Sequence, residues 1–544
     1  MKPQNVFLSH ALFGSASALS LPNSAHAILS RDVSNSSTPT NKSLSWAECN
    51  LDFGAANNAI VDALPEKPEC AKLEVPLDYT SLSSGETIEL QLIRFKANKE
   101  PYKGSIIYNP GGPGGSGVER TIVSPAGGLQ MRDIVGGQYD IVSFDPRGVG
   151  RTIPFACNIT ATETAPTLAR REFNTLPQAN IWAYFNEFVL GAAEAIADAC
   201  FRDQAKYGRF IGTAFGARDL ISIADALDQG PKVNYWGTSY GTVLGQVFTS
   251  MFPERVGRVL LDANLLAEDY ASTTWITAQR DVERALHKLF DGCVEAGPGT
   301  CVLANHTGTN TTGDSLMSAL DEAIQEKLDD DTEGEDFGLL YVLPFKVAIV
   351  GELYGPATYF DAIERVNHVL TGNWTAAVTP TPNMLASEWN QGEHAMLGIS
   401  CADSSFRAEN RDDFYSVYQA RLAQGSFADS VPDRLYCGRW RFSSAEQIDL
   451  NALRNVKTSY PVLVVNGHYD PGTSESSAWE VSARLRNSRM VVHMGVGHGF
   501  RNHPSKCTND VVRDYFADGK LPEVGTVCEP DKSAFEVAIE LKEK

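Results

Sequence analysis

"NYWGTSYGTVLGQ", Asn234–Gln246, places Ser239 between Gly237 and Gly241, directly after a short apolar run that reads as a strand. That spacing suits a nucleophile elbow, a tight strand-to-helix turn that lifts a serine hydroxyl clear of the backbone. The flanking glycines matter because a side chain at either position would collide with the neighbouring strand or helix. Glycine and serine are common, so the pentapeptide decides nothing until its partners are found.

Working outward, alternating apolar residues in "KLEVPLDY" and "IELQLIRFKA" read as antiparallel edge strands. "SIIYN" (Ser105–Asn109) and "YDIVSFD" (Tyr139–Asp145) read as buried parallel strands. "ARDLISIADAL" (Ala217–Leu227) has helical spacing, followed by strand "VNYW", a helix through "TVLGQVFTSMF" and strand "RVLLDA" (Arg258–Ala263). This alternation predicts an α/β fold, a mostly parallel, doubly wound sheet covered by helices on both faces. It breaks after Asn264 and returns at "YPVLVVNGHYD" (Tyr460–Asp470) and "SRMVVHMGVGHG" (Ser488–Gly499). The expected organisation is a core over 46–264 and 457–544, interrupted by a mainly helical insertion over 265–456.

At 544 residues the chain is too long for one simple core. A net charge of −21 opposes nucleic acid or an anionic membrane surface as partner. The first 27 residues carry one lysine, an apolar stretch and a small-x-small pair, Ala25 and Ala27; they read as a signal peptide cleaved near Ala27, ahead of a polar segment over 28–45. No later stretch offers about 18 consecutive apolar residues, so no membrane span is expected. Ten cysteines, none in a CxxC pair, speak against a zinc ribbon and for disulfides in an exported protein. Pairing in chain order would give Cys49–Cys70, Cys157–Cys200, Cys293–Cys301, Cys401–Cys437 and Cys507–Cys528. Sequons at Asn35, Asn41, Asn158, Asn305, Asn310 and Asn373 fit a glycosylated surface.

In open α/β sheets functional groups gather at the carboxyl ends of strands. Three candidates stand there: Ser239, Asp470 after "VLVVNGHY", and His498 after "MVVHMGV". Their order, Ser…Asp…His, is that of the α/β-hydrolases. A serine hydroxyl is a poor nucleophile until a histidine accepts its proton, and the aspartate fixes the imidazole tautomer and stabilises the imidazolium. Asp262, also at a strand end, is a rival acid; His493 lies inside a strand and reads as a packed residue. "YNPGGPGGSG" (Tyr108–Gly117) offers backbone N–H groups for an oxyanion, with Gly112 and Tyr240 the expected donors. A phosphate cradle is excluded, because no Gly-Lys-Ser/Thr follows and the GxGxxG spacing is missed.

With these residues in place, "WAEC…CAKLEVPLDY", "YNPGGPGGSG", "YDIVSFDPRGVGRT", "YWGTSYG", "GHYDPGT" and "GHG" together resemble the secreted tripeptidyl-aminopeptidase-like branch of the prolyl aminopeptidase family. The likeness runs from about Trp46 to the C-terminal "CTNDVVRDYFADGKLPEVGTVC". It implies an α/β-hydrolase core, a helical cap, a Ser-Asp-His mechanism without metal or other cofactor, and release of amino acids or short peptides from free N-termini. The family usually carries His where this chain has Pro110. The cap matches least, although "GISCADSS" (Gly398–Ser405) looks like a segment of that branch.

The reading is thus a secreted serine hydrolase acting on a small or short-peptide substrate, with an exopeptidase first and a non-peptide ester or amide hydrolase second. A serine carboxypeptidase would carry Gly-Glu-Ser-Tyr-Ala-Gly at the elbow, and a non-catalytic relative would have lost a triad member. An aminopeptidase must hold an ammonium group, which only carboxylates or carbonyls can do in a partly desolvated pocket. Asp403, in "ISCADSS", and Glu119, just after the glycine loop, are the expected partners.

Overall fold

The computed structural model describes residues 44–123, 127–158, 176–178, 181–182, 190–272, 275–330, 338–379, 387–390, 392–429 and 432–543. The expected signal peptide and most of the polar segment after it lie outside these residues. Ten strands form one sheet in the order β1-β2-β3-β5-β4-β6-β7-β8-β9-β10. They are β1 (Ala47–Glu48), β2 (Glu69–Pro76), β3 (Thr87–Phe95), β4 (Ser105–Asn109), β5 (Asp140–Phe144), β6 (Val233–Ser239), β7 (Val256–Asn264), β8 (Leu463–Tyr469), β9 (Arg489–Val496) and β10 (Val527–Cys528).

Residue pattern explains direction. In β2, buried Leu73 and Val75 alternate with exposed Lys72 and Glu74, so one face is solvated, and β2 pairs antiparallel with β1 and β3. Every residue of β4 and β5 is buried, as helices on both faces require, and β4 pairs parallel with β5 and β6. From β4 through β10 in the sheet order all neighbours are parallel. The chain runs from β4 to β5 on one side, then crosses to β6 on the other. That reversal opens a crevice beyond the carboxyl ends of β4 and β6, where the glycine loop and the serine turn both emerge.

Between β7 and β8 every described element is a helix. Val282, Leu286, Leu289, Phe290, Leu320, Phe345 and Ile349 build a separate buried cluster there. The last part of the insertion behaves differently: Ile399, Cys401, Trp440 and Phe442 are buried in the same cluster as sheet residues such as Val142 and Leu261.

All ten cysteines are paired, in the five pairs expected. Cys49–Cys70 fastens β1 and β2, and Cys507–Cys528 fastens the two-residue β10, which is too short to show any pattern in the sequence. No helix among the described residues is long and apolar enough to cross a membrane.

Candidate active site

Strand β6 ends at Ser239 and the helix Tyr240–Met251 starts on the next residue. Ser239 has φ 60° and ψ −127°, a left-handed conformation that L-residues rarely adopt outside enforced turns. The glycines around it are sterically required: a Cβ on Gly237 would strike the Gly241 carbonyl, and one on Gly241 would strike the Asn109 carbonyl. Tyr235 donates its hydroxyl to the Gly241 oxygen at 2.7 Å, and Thr242 donates to the Ser239 oxygen at 2.6 Å. These bonds brace the turn. Ser239 keeps partial exposure while its sequence neighbours on both sides are buried.

Asp470 follows β8 and is fully buried. Its carboxylate accepts from the Gly472 N–H at 2.8 Å, the Thr473 N–H at 2.9 Å and the Thr473 hydroxyl at 2.8 Å. His498 follows β9, the strand beside β8, and its Nδ1 lies 2.9 Å from Asp470 Oδ1 and 3.1 Å from Oδ2. Burial pushes the imidazole pKa down; the charge and hydrogen bond of Asp470, with a smaller contribution from Asp262, more than reverse that, so the net shift is upward. Such a histidine is a stronger base than a free imidazole, and its Nδ1 is held by the acid so that Nε2 is left for proton transfer. Gly499, next to His498, reaches the serine turn: a Cβ there would lie 3.5 Å from Thr238 Cγ2. The structure therefore brings the three residues to the same end of one parallel sheet, beyond β6, β8 and β9.

The glycine loop packs onto the elbow. A Cβ on Gly111 would lie 2.8 Å from both Ser239 Cβ and Tyr240 N, and Gly111 has φ 93°. The Gly111 N–H is held by Asn109 Oδ1 at 2.9 Å. The Gly112 N–H meets no acceptor among the described residues. Tyr240, the first residue of its helix, has an N–H that no helical carbonyl can take. Gly112 and Tyr240 thus keep N–H groups without a backbone acceptor among the described residues.

The two carboxylates expected to meet substrate fare differently. Asp403 is fully committed to the protein. It accepts from the Thr213 N–H at 3.0 Å, the Thr213 hydroxyl at 2.5 Å, the Tyr270 hydroxyl at 3.0 Å and the Ser444 hydroxyl at 3.1 Å. Thr213 opens the helix Thr213–Leu227, whose N-cap, Gly212, has no side chain to offer, so Asp403 supplies the missing cap from the insertion. Because Thr213 gives its proton to Asp403, Tyr240 must donate to Thr213 Oγ1 across 2.6 Å. Burial raises the Asp403 carboxyl to about 6. The expectation of an ammonium ligand at Asp403 is corrected: this carboxylate ties the insertion to the helix Thr213–Leu227 and, through the Thr213 hydroxyl, to Tyr240, the residue after Ser239. Glu119 is buried beside the glycine loop, accepts from Asn57 Nδ2 at 2.8 Å and from Ser387, and has its pKa raised chiefly by burial.

Two contributors escaped sequence reasoning. Tyr354, from the insertion, lays its ring 4.7 Å from the His498 ring and accepts the His498 N–H at 2.9 Å. Nothing in its local sequence marks it. Thr473, which positions Asp470, could have been found, since it closes the quoted "GHYDPGT".

Comparison with known proteins agrees with this fold. Residues 104–299 match the family model described as "alpha/beta hydrolase fold" and residues 425–528 the one described as "TAP-like protein". A "Tripeptidyl aminopeptidase" of Streptomyces lividans is 26% identical over 516 residues, covering 90% of this chain and 87% of that protein. "Serine protease Hip1" of Mycobacterium tuberculosis is 24% identical over 490 residues, covering 86% and 88%. "Carboxylesterase B" of the same species is 25% identical over 502 residues, covering 89% and 90%. The fold and these matches define an α/β hydrolase, and an enzyme of the serine hydrolase class. Within that class the chain is similar to the TAP-like branch, by the family model over residues 425–528 and by the tripeptidyl aminopeptidases at 26% identity.

Proposed function

We propose that this chain is an exported serine exopeptidase that releases residues or short peptides from free N-termini. His498 would take the proton of Ser239 as Oγ attacks the scissile carbonyl, and the N–H groups of Gly112 and Tyr240 would hold the resulting oxyanion. Collapse would expel the amine, protonated by His498, and leave an acyl-Ser239 ester. Water, deprotonated by His498, would then release the acid and restore the serine. The observation that carries this reading is Ser239 at φ 60° on its elbow together with His498 clamped on Asp470. Glu119 is the carboxylate proposed for the substrate amine. Burial disfavours its charged form, and an arriving ammonium would restore it, as a partly desolvated cation site requires. Residues 265–456 would act as the cap, with Tyr354 against His498 and the Gly392–Asp403 helix against the glycine loop at Gly114. Five disulfides fit an oxidising compartment, in keeping with export.

The carboxylesterase relative, matched over as much of the chain as the peptidases, favours a second reading with an ester or non-peptide amide as substrate. A fluorophosphonate probe tests what both share. It should label Ser239 in wild type and nothing in Ser239→Ala; labelling at another serine would reject the elbow.

A further inference from the structure

Asp262 lies two residues before the end of β7 and pairs with Thr238, the residue before the nucleophile, in the parallel register. It is wholly buried. Its Oδ1 accepts the Phe500 N–H at 3.2 Å, while its Oδ2 has no hydrogen-bond partner. A Cβ on Gly499 would lie 3.2 Å from that orphan oxygen. The carboxylate is therefore set against the two residues that directly follow His498. An unsatisfied buried acceptor is destabilising, so it calls for a reason. Holding the Phe500 N–H needs only a neutral acceptor. The charge is what remains to be explained.

The groups around it are few. Asp470 on the β8 loop bonds His498 Nδ1, with the Thr473 hydroxyl 3.5 Å from the same nitrogen and Asp281 of the insertion facing Asp470. Tyr354 covers the imidazole from the insertion. Arg501 donates to the Tyr108 hydroxyl at 2.6 Å, lies over the Tyr108 and Trp236 rings, and acts as a cation on Asp262, as does His498. Burial raises the Asp262 carboxyl to about 6, with Arg501, the Phe500 N–H and His498 pulling the other way. In its ionised form it is one of the charges that raise His498, after Asp470.

We propose that Asp262 is a positioning residue that acts through His498. It fixes the Gly499–Phe500 backbone and faces the imidazole with a second negative charge, so that the imidazolium formed when Ser239 is deprotonated is held by two carboxylates. This rests on the Ser239–Asp470–His498 reading. It goes beyond that reading by giving a role to the strand-end acid that does not touch the histidine.

The test is the pH dependence of fluorophosphonate inactivation, which reads the ionisation of His498 whatever the natural substrate. In Asp262→Asn the acid limb should move to lower pH by about one unit, the size expected for one charge several ångström away at an effective dielectric constant of about 20. The plateau rate should fall less than about tenfold, because Asp470 still orients the ring. Asp262→Glu, which keeps the charge, should leave the limb near its wild-type position. A folded Asp262→Asn with an unmoved limb overturns the proposal. Failure of both variants to fold assigns Asp262 to the fold alone and also overturns it. Wild type that resists the probe at every pH is a different failure, that of the triad itself.

Discussion

His498 Nδ1 meets both oxygens of Asp470, at 2.9 and 3.1 Å, across the loops that end two neighbouring strands. Three further donors, from Gly472 and Thr473, hold that carboxylate in place. Asp470→Asn should therefore lower kcat by about 10³- to 10⁴-fold with the fold intact, because the amide reverses the tautomer preference of His498. Steady-state kinetics beside a thermal melt check it. A loss under tenfold would mean that another acid serves His498.

Asp403→Asn should cost stability rather than recognition. Four donor contacts converge on that carboxylate, and an amide can satisfy only part of them. A loss of about 2–4 kcal/mol in denaturant unfolding is expected. The activity that remains should fall alike on free-amine peptides and on small uncharged esters. A rise in KM confined to free-amine peptides would restore Asp403 as a substrate ligand.

Glu119→Gln should show the opposite split. With the charge gone and the bond from Asn57 retained, KM for free-amine peptides should rise by about tenfold or more, the size of one charge-assisted contact. Hydrolysis of a small uncharged ester should hardly change. Equal losses on both substrates would make Glu119 a structural link between the glycine-loop helix and the N-terminal segment.

Stability should fall as the pH rises from about 4 to about 6. Burial raises Asp145, Asp262 and Asp403 each from 3.8 to about 6, so in that window the folded chain keeps protons that the unfolded chain has released. Their contribution is fully present below pH 3.8 and is lost as the pH passes through about 6. His493, lowered by burial to about 4, and His503, also lowered chiefly by burial, act in the other direction, but they are two groups against these three carboxyls. Melting temperatures across pH 4 to 7 at constant ionic strength test this. A steady rise over the range would contradict it.

Much of this was open to sequence because it depends on local pattern. Unbroken apolar runs gave β4 and β5, alternation gave β2 and β3, and Gly237 and Gly241 marked a turn where no Cβ fits. Chain order then named Ser239, Asp470 and His498. Contacts made across the fold were closed to it. Asp403 looked available because nothing near it in sequence reveals Thr213, Tyr270 or Ser444, at separations of 190, 133 and 41 residues. Tyr354 lies against the His498 ring from 144 positions upstream and carries no motif. Asp262 was visible as a rival acid, but only the fold shows that it pairs with Thr238 and accepts the Phe500 N–H, while His498 bonds Asp470.

The central claim, a Ser239-dependent exopeptidase at free N-termini, is tested most directly by mass spectrometry of products from matched peptides with free and acetylated N-termini, using wild type and Ser239→Ala. The account predicts residues or short peptides cut from the free N-terminus by wild type, the acetylated partners intact, and no products from Ser239→Ala. Equal cleavage of acetylated peptides, or products from Ser239→Ala, would contradict it.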